Sequence, residues 1–385
     1  MKNKIYIVGI VAFLLVWFGL TGAAWFGKAE AVSMMERREL AQAPTLSWET
    51  ITAKDILDKD GNIKEARSYK SLFDEYVLDQ FPMRDRFRQI KAIFSNYVMQ
   101  QKDDNSYYIA DGYAAELVYP MDEQRLNLNI KILNEICQNN LKNNKVYSAV
   151  VPDKSYFLAE KNGYLSLDYD KMFQTIQSGL PEKVNHIDLT EVLDITDYYY
   201  TDTHWRQECI VPVAEKLAQV MGTKVEPESA YTKEKVENPF YGVYYGFAAL
   251  PMDPETMYLM QSSAMEGCTI SFGEDVDGKI AWNPAQYYDM SKADSNDLYD
   301  IFFSGNQAMI QIVNPKSSSP KELVVFGDSF ARSLVPLLSQ GYRKITVIDL
   351  RLTKYNTLDQ VMQFTPRQDV LFLYSTLSFN KSIAG

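Results

Sequence analysis

The chain has 385 residues, of which 46% are hydrophobic and 23% charged, and its formal net charge at pH 7 is −11. This length holds one large domain or two smaller ones, with enough apolar residues for a complete core. The acidic balance argues against nucleic acid as a partner, and two histidines with three cysteines but no CxxC pair argue against a transition-metal site or a disulfide framework.

The N-terminal segment predicts a membrane anchor. Lys2 and Lys4 precede an apolar run over 5–26, which is long enough for a span of about 20 residues. The lysines are expected to stay in the cytoplasm and the rest of the chain outside. A cleaved signal peptide is the alternative, although its apolar core usually has about 7–15 residues. Both interpretations disfavour ATP-dependent chemistry, and without a P-loop or dinucleotide fingerprint we expect no cofactor.

The composition divides the chain into three parts. We expect a signal-anchor transmembrane helix at 1–27, a juxtamembrane linker at 28–54 and the main domain at 55–385. The main domain begins with a helical part at 55–105, interrupted at Phe81-Pro82 because proline disfavours helix at the preceding residue. Residues from about 223 to 320, including "NPFYGVYYGFAAL", alternate and carry turns, so we predict a β-rich insertion of antiparallel hairpins.

Strands and helices alternate on both sides of this insertion. An amphipathic helix over 122–144 precedes a buried strand over 145–152, and a short strand covers 183–190. Three apolar strands separated by two helices follow the insertion, and the first of these strands lies in "KELVVFGDSF". This β-α-β-α-β run predicts an α/β fold with a parallel sheet flanked by helices.

Ser329 is the first candidate for a functional side chain. The buried strand 323–326 ends at Gly327, which permits a sharp turn, and Ser329 stands where the next helix begins. Ligands of open α/β sheets bind at the carboxyl ends of the strands, so we expect the hydroxyl to be exposed there. The N–H of a residue at a helix N-terminus can also stabilise an oxyanion. An ordinary N-cap serine is the alternative.

A nucleophilic serine needs a base, and the chain offers two histidines. His186 follows an apolar strand pattern, which favours a structural role. His204 lies in "YYYTDTHW" (198–205), two positions after Asp202, so both side chains can project the same way. These residues predict a triad of Asp202, His204 and Ser329. The aromatic neighbours, Trp205 among them, pack in the core or form a wall that faces a sugar.

Several motifs together resemble a known family. "GDSF" at 327–330 resembles the first block of the SGNH (GDSL-like) hydrolases. Here "DTHW" precedes the serine, an order that resembles the alginate O-acetyltransferase periplasmic proteins and the DHHW proteins of Gram-positive bacteria. Thr203 replaces the first histidine of DHHW, a position at which the alginate-type proteins tolerate threonine. The resemblance covers nearly the whole chain after the anchor, through "ERRELAQAP", "YVLDQFPMRD", "VVPDKSYFL", "FYGVYYG", "YDIFFSGNQAMIQIVN" and "VIDLR".

The resemblance implies an extracytoplasmic O-acetyltransferase that acetylates a cell-surface polysaccharide or exopolysaccharide. A membrane-bound acyltransferase of the MBOAT type would supply the acetyl groups, and the triad would transfer them. SGNH enzymes also use a glycine and an asparagine in the oxyanion hole. Gly327 and Asn306 are the candidates here, with Trp205 as a candidate for substrate binding. The "SGN" stretch that holds Asn306 is otherwise a simple turn.

Other functions remain open at this point. The same triad fits a carbohydrate esterase or deacetylase, or the transfer of another acyl group such as D-alanine on teichoic acids. A non-catalytic, glycan-binding scaffold subunit of a polysaccharide export machine is a further alternative. Lys154 and Arg351 follow strand ends and are surface residues or line the cleft. The 26 tyrosines fit packing in strands or a carbohydrate-binding surface.

Overall fold

The computed structural model describes residues 2–48, 51, 56–57, 63–64, 67–103, 105–276 and 279–385. The chain forms two units, one of residues 1–101 with 249–251 and one of residues 102–248 with 252–385. The boundaries predicted for the anchor, the linker and the insertion stay predictions, and most of 49–66 lies outside the described residues.

The first unit begins with a long apolar helix. Helix α1 covers Lys2–Phe26, and its stretch Tyr6–Ala24 is long and apolar enough to cross a membrane. Signal sequences near an N-terminus can also be long and apolar enough to meet this criterion. Helices α2 (Tyr69–Asp79) and α3 (Arg84–Ile93) follow, and the helix is interrupted between them at the predicted Phe81-Pro82 pair. The remaining elements are the π-helical turn Phe94–Val98 and the strand pairs Val32–Ser33 with Arg38–Glu39 and Ile56–Leu57 with Ile63–Lys64.

Ion pairs join two of the motif stretches in this unit. Both terminal nitrogens of Arg38 donate to the carboxylate of Asp79, at 2.8 and 2.6 Å. That bidentate bond lowers the pKa of Asp79 to about 2. Arg84 donates to Glu36 at 2.5 Å. The stretches "ERRELAQAP" and "YVLDQFPMRD" are therefore partners in one charged network.

An eight-stranded sheet forms the centre of the second unit. Across the sheet the strands lie in the order Lys279–Ala285, Thr269–Val276, Met309–Val313, Lys344–Ile348, Glu322–Gly327, Gln368–Ser375, Lys145–Val151 and Val184–Ile187. The first four pair antiparallel, and the pairing is parallel from the fourth strand to the eighth. The prediction of an α/β fold with a central, mostly parallel sheet is confirmed. The strands are β1 Lys145–Val151, β2 Val184–Ile187, β3 Thr269–Val276, β4 Lys279–Ala285, β5 Met309–Val313, β6 Glu322–Gly327, β7 Lys344–Ile348 and β8 Gln368–Ser375.

The central strands are buried on both faces. In β6, Leu323 and Val325 belong to the cluster on one face, whereas Val324 and Phe326 belong to the cluster on the other. Apolar helix faces cover both sides, which is why these strands read as continuous apolar runs. The helices are α4 Glu123–Asn139, α5 Lys154–Leu158, α6 Tyr169–Gly179, α7 Val211–Met221, α8 Val243–Ala248, α9 Phe330–Leu338, α10 Leu358–Val361 and α11 Thr376–Asn380.

Two helix ends follow the capping rules. Asp122 caps α4 by accepting a hydrogen bond from the N–H of Arg125. Gly222 ends α7 in the left-handed conformation with φ of 66°, which glycine adopts without steric cost. The 3₁₀ turns are Glu160–Asn162, Ile195–Asp197, Gln207–Cys209, Glu228–Ala230, Met290–Lys292, Leu298–Ile301, Ser339–Gly341 and Tyr355–Thr357.

The segment 223–320 is only partly separate from the central sheet. Its strands β3, β4 and β5 extend the central sheet, while Thr232–Lys235 pairs with Tyr258–Gln261 in a two-stranded ribbon. The stretch "NPFYGVYYGFAAL", predicted as a hairpin, contains helix α8 instead. The N–H groups of Tyr244 and Tyr245 both donate to the carbonyl of Thr201, so tertiary contacts override the alternating pattern. A tight strand pair, Tyr107–Ala110 with Tyr113–Glu116, completes this unit.

Candidate active site

Ser329 lies in a tight turn between β6 and α9. Strand β6 ends at Gly327, and α9 begins at Phe330, with Ser329 as its N-cap residue. A Cβ atom on Gly327 would lie 2.9 Å from the carbonyl oxygen of Leu373 and 3.0 Å from the Cβ of Ala331. Glycine is therefore required where the strand turns into the helix. This close approach is what Gly327 contributes in the structure, and an oxyanion role for it stays a prediction.

Asp328 holds this turn in place. One carboxylate oxygen accepts from the N–H of Phe330 at 3.0 Å. The other accepts from the N–H and the hydroxyl of Ser375, both at 2.8 Å, and from the hydroxyl of Ser378 at 2.7 Å. Since Ser375 ends β8, the carboxylate ties the serine turn to the neighbouring strand. The backbone around Ser329 is thus oriented before any substrate binds.

The histidine loop closes on itself. Tyr198 and Trp205 form a bridge, and the N–H of Tyr199 donates to the carbonyl of His204 at 3.1 Å. Tyr198, Tyr199 and Trp205 are completely buried. Three aromatic rings therefore fix the base of the loop, and His204 extends from it to Ser329 and Phe330 at the start of α9.

The structure brings the three predicted triad side chains together. Nδ1 of His204 lies 2.6 Å from Oδ1 of Asp202, and Nε2 lies 2.7 Å from Oγ of Ser329. Because a carboxylate only accepts hydrogen bonds, Nδ1 carries the proton, which leaves Nε2 to accept from the serine hydroxyl. Asp202 is 0% exposed, whereas Ser329 is partly open to solvent. This arrangement can activate a serine for acyl transfer, and the catalytic roles of its members stay predictions.

Asp202 is oriented from two directions. Its Oδ1 also accepts from the N–H of His204 at 3.0 Å, and its Oδ2 accepts from the N–H of Val243 at 2.9 Å. Gly242 lies against it, since a Cβ at Gly242 would lie 2.3 Å from the backbone nitrogen, Cα and Cβ of Asp202. The start of α8 is therefore packed directly on the carboxylate residue.

Tyr299 forms the floor beneath the imidazole. Its ring is stacked on that of His204, with centroids 3.8 Å apart and planes inclined by 5°. Its hydroxyl donates to Ser333 at 2.9 Å, and the guanidinium of Arg332 lies 5.1 Å from the ring centroid. Burial raises the pKa of Tyr299, so its hydroxyl stays protonated as a donor. The flat contact restricts rotation of the imidazole.

Trp205 lies behind the site rather than at its mouth. Its ring is 0% exposed and packs edge-on against Phe330, and its indole N–H donates to Ser333 at 2.8 Å. A fully buried ring makes no contact with a polysaccharide, which corrects the substrate-binding role predicted for it. Trp205 instead packs the histidine loop against the first turns of α9.

Asn306 lies on an unusual turn near the start of α9. Phe303, Ser304 and Gly305 all have positive φ, at 54°, 56° and 90°, a conformation that is unfavourable for the first two. Asp300 joins this turn to α9, because it accepts from Arg332 at 3.2 Å and approaches Gly305 so closely that a Cβ there would lie 2.8 Å from its Oδ1. The side chain of Asn306 is exposed. Its role in an oxyanion hole stays a prediction.

Lys154 and Arg351 differ from the surface residues expected. Lys154 is 2% exposed, and its ammonium donates to the carbonyls of Tyr199 and Tyr200. Arg351 is half-buried and pairs with Asp349 at 2.6 Å. His186, interpreted as structural, lies on the edge strand β2. Gly242 and Tyr299 were not predicted as site residues, and their only signal was a place in stretches that resemble the family. Lys154 was predicted only as a surface or cleft-lining residue at a strand end.

A known family model matches part of this chain. Residues 113–266 match the family model described as "SGNH hydrolase-like domain, acetyltransferase AlgX". The matched stretch contains Asp202 and His204, and Ser329 lies beyond it. No curated protein matches the chain by sequence.

Two solved structures are similar over most of their own length. A DHHW family protein from Eubacterium siraeum is 22% identical, with a TM-score of 0.58 over 71% of this chain and 91% of that one. Bacillus cereus PatB1, solved with a sulfonyl adduct, is 18% identical, with a TM-score of 0.56 over 72% of this chain and 96% of that one. The predicted resemblance to the alginate-type and DHHW proteins is confirmed.

Proposed function

We propose that the chain, whose residues 113–266 match the model of the SGNH hydrolase-like domain of the acetyltransferase AlgX, O-acetylates a cell-surface polysaccharide or exopolysaccharide. The observation that carries the proposal is the hydrogen-bonded series Asp202, His204, Ser329, with distances of 2.6 and 2.7 Å. Hydroxyl, imidazole and carboxylate in this order activate a serine toward an acyl carbon.

The first half of the reaction acetylates the serine. Oγ of Ser329 attacks the acetyl carbonyl carbon of the donor while its proton passes to Nε2 of His204. Asp202 accepts from Nδ1–H and stabilises the imidazolium that forms. The tetrahedral intermediate collapses, the donor group leaves with the proton from Nε2, and an acetyl ester of Ser329 remains.

The second half passes the acetyl group to a sugar. A sugar hydroxyl gives its proton to Nε2 of His204 and attacks the ester carbon. The second tetrahedral intermediate then releases Oγ of Ser329, which takes the proton back. Both intermediates carry an oxyanion, for which the N–H of Ser329 at the start of α9 and the amide of Asn306 are the proposed donors. Gly327 permits the turn that presents that N–H.

The proposed setting is the outer face of a membrane. The apolar stretch Tyr6–Ala24 would anchor the chain, and the positive-inside rule would leave the remainder outside the cytoplasm. Acetyl groups would come from a membrane-bound acyltransferase of the MBOAT type. The net charge of −11 suits a neutral or amino-bearing polysaccharide better than a strongly anionic one.

Acyl transfer in vitro tests the reaction. Full-length protein in detergent is given an activated acetyl ester, with and without neutral, amino-bearing and anionic oligosaccharides, and acetylated sugar and free acetate are quantified by mass spectrometry. We expect acetylated sugar from the wild type and from Ser178→Ala, an exposed helix serine, and none from Ser329→Ala. Free acetate as the sole product would identify an esterase instead. Another acyl group on the sugar in cells would point to a different donor.

A cellular experiment separates the enzyme from a scaffold. Ser329→Ala is expressed in place of the wild type, and acetylation of the surface polysaccharide is measured. We expect acetylation to be lost while the protein remains in the membrane fraction. Intact acetylation with this variant would favour a non-catalytic, glycan-binding subunit. Deletion of 1–27 is expected to release the protein from the membrane fraction, and protease added outside the cell is expected to reach the intact chain.

A further inference from the structure

Lys154 is a buried cation that the proposed reaction does not use. It begins α5 directly after the carboxyl end of β1 and is 2% exposed. Its Nζ donates to the carbonyl of Tyr199 at 3.0 Å and to that of Tyr200 at 3.2 Å. Burial of a lysine is unfavourable unless its hydrogen bonds are satisfied. The two backbone carbonyls are therefore a specific binding place for this side chain.

Glu255 binds the N–H groups of the same short segment. Its Oε2 accepts from the N–H of Tyr200 at 2.6 Å, and its Oε1 accepts from the N–H of Thr201 at 2.7 Å and from the Thr201 hydroxyl at 2.6 Å. The cation thus binds the carbonyls and the carboxylate binds the N–H groups. Residues 199–201 are held through their backbone, and Asp202 is the next residue.

Other charged and titratable groups face the ammonium. Burial disfavours the protonated form of Lys154 and lowers its pKa to about 7, whereas the negative charges of Asp202, Glu255 and Asp153 favour that form. The rings of Tyr244 and Tyr113 lie 5.0 and 6.0 Å from Nζ, which is within the range of cation–π attraction. Lys154 is therefore a cation that interacts with several carboxylates, among them Asp202, the one bonded to His204.

We propose that Lys154, together with Glu255, is a positioning residue that fixes the backbone of 199–201 and so aims the carboxylate of Asp202 at His204. The proposal rests on the proposed function, in which that carboxylate orients the imidazole. Lys154 acts through Tyr199 and Tyr200 and does not touch the reacting atoms. Its removal is expected to lower the rate of serine acylation without changing substrate affinity, because a displaced catalytic group costs about 100-fold in rate for about 1 Å of movement.

Lys321 provides a matched control. It also donates to two consecutive carbonyls, those of Met221 at 2.9 Å and Gly222 at 3.4 Å, and it lies close to a carboxylate, Asp369, at 3.3 Å. It directly precedes β6, so it lies at the amino end of the strand whose carboxyl end carries Ser329. Lys321→Met and Lys154→Met therefore remove the same kind of contact at opposite ends of the sheet.

The test measures the nucleophilic reactivity of Ser329 directly. Full-length wild type, Lys154→Met, Lys154→Arg and Lys321→Met are labelled with a serine-directed sulfonyl fluoride, and the rate of labelling is followed by mass spectrometry from about pH 5 to pH 9. Turnover of the activated acetyl ester gives kcat and KM for the same proteins. Thermal unfolding shows which variants are folded at the assay temperature.

The proposal predicts a specific set of results. For Lys154→Met we expect labelling and kcat to fall by about 10- to 100-fold, with KM within about twofold of wild type. We also expect the apparent pKa of the pH–rate profile to rise, because a cation near Asp202 and Glu255 is lost. Lys154→Arg should restore part of the rate, and Lys321→Met should match the wild type.

Three outcomes would overturn it. These are a wild-type labelling rate in Lys154→Met, a rate reduced only by the unfolded fraction with the pH profile unchanged, or an equal loss in Lys321→Met. If Lys154→Met is unfolded, Glu255→Gln is measured instead, and an unchanged rate and profile there overturn the proposal equally. Failure of the wild type itself to label at Ser329 would contradict the proposed function rather than the role of Lys154.

Discussion

The hydroxyl of Ser329 lies 2.7 Å from Nε2 of His204, although the two residues are 125 positions apart in the chain. The contact depends on Ser333, which lies one helical turn beyond Ser329. The Ser333 hydroxyl accepts from the indole of Trp205 and from the hydroxyl of Tyr299. Trp205, which follows His204 in the chain, and Tyr299, whose ring lies beneath the imidazole, are thus both bonded to the helix that begins after Ser329.

Replacement of Asp202 by asparagine is expected to lower acyl transfer strongly while leaving the fold intact. An amide of the same shape can still accept from the N–H of His204 or Val243, but it does not stabilise the imidazolium or select the Nδ1–H tautomer. We expect kcat to fall by about 10²- to 10⁴-fold, measured with the activated acetyl ester. Asp168→Asn removes a carboxylate that caps α6, where asparagine caps equally well, and should keep wild-type activity. Equal activity in both variants would contradict the role of Asp202.

Gly242→Ala is expected to damage the site from outside the triad. The added Cβ would lie 2.3 Å from three atoms of Asp202, so the backbone beneath the carboxylate must move. We expect at least a tenfold loss of kcat, about 1.4 kcal/mol in activation free energy. Gly179→Ala is the control, because Gly179 is the last residue of α6 and its added Cβ would lie 2.8 Å from the Ile130 side chain. This variant should lower Tm without lowering the kcat of folded protein. Full activity in folded Gly242→Ala would contradict the close packing at Asp202.

The stacked ring of Tyr299 is expected to matter more than its hydroxyl for chemistry. Tyr299→Phe keeps the ring under His204 and removes the bond to Ser333, so we expect a small loss of stability, about 1 kcal/mol, and a rate within about tenfold of wild type. Tyr299→Leu removes the flat support, and its labelling rate should fall below that of the phenylalanine variant. The measurements are sulfonyl fluoride labelling and urea unfolding. Identical labelling rates in the two variants would show that stacking does not orient the imidazole.

Stability is expected to depend on pH through Lys154. Its pKa is lowered from 10.5 to about 7 by burial. Between these values the unfolded chain binds the proton and the folded chain does not, so this residue makes the free energy of unfolding rise with pH. Relative to Lys154→Met, the wild type should gain about 1 kcal/mol per pH unit above about pH 7 and have a constant offset below it.

Urea unfolding at a series of pH values checks this prediction. Differences between wild type and Lys154→Met cancel the titration of groups that both proteins share. Lys321→Met is the control for loss of a lysine that is only half-buried. Parallel curves for wild type and Lys154→Met would show that the buried lysine keeps an ordinary pKa.

Much of the frame could be predicted from local patterns. The parallel strands read as apolar runs, the helices as amphipathic stripes, and the turn after β6 as a glycine followed by a helix start. The proposed triad could also be suggested, because the chain has two histidines and His204 follows Asp202 by two positions in "DTHW", whereas His186 lies in an apolar strand pattern. Each of these signals is carried by neighbours in the chain, where spacing alone restricts what the backbone can do.

Contacts between distant segments could not be predicted in this way. Lys154 reads as a surface residue until the carbonyls of Tyr199 and Tyr200 are seen above it. Trp205 reads as a wall for sugar until its burial behind α9 is seen. "FYGVYYG" reads as a strand until Thr201 and Asp202 are found binding its backbone N–H groups, which favours the short helix α8.

The sequence by itself therefore determined the α/β architecture and the serine turn, and it suggested His204 as the base, since these follow from local periodicity and from the scarcity of histidine. Only the tertiary structure decided how the site is held: the ring of Tyr299 under the imidazole, Gly242 against Asp202, and Lys154 under the loop. The physical reason is that burial and hydrogen-bond partners depend on contacts between distant segments, and the residue spacing within one segment does not specify those contacts.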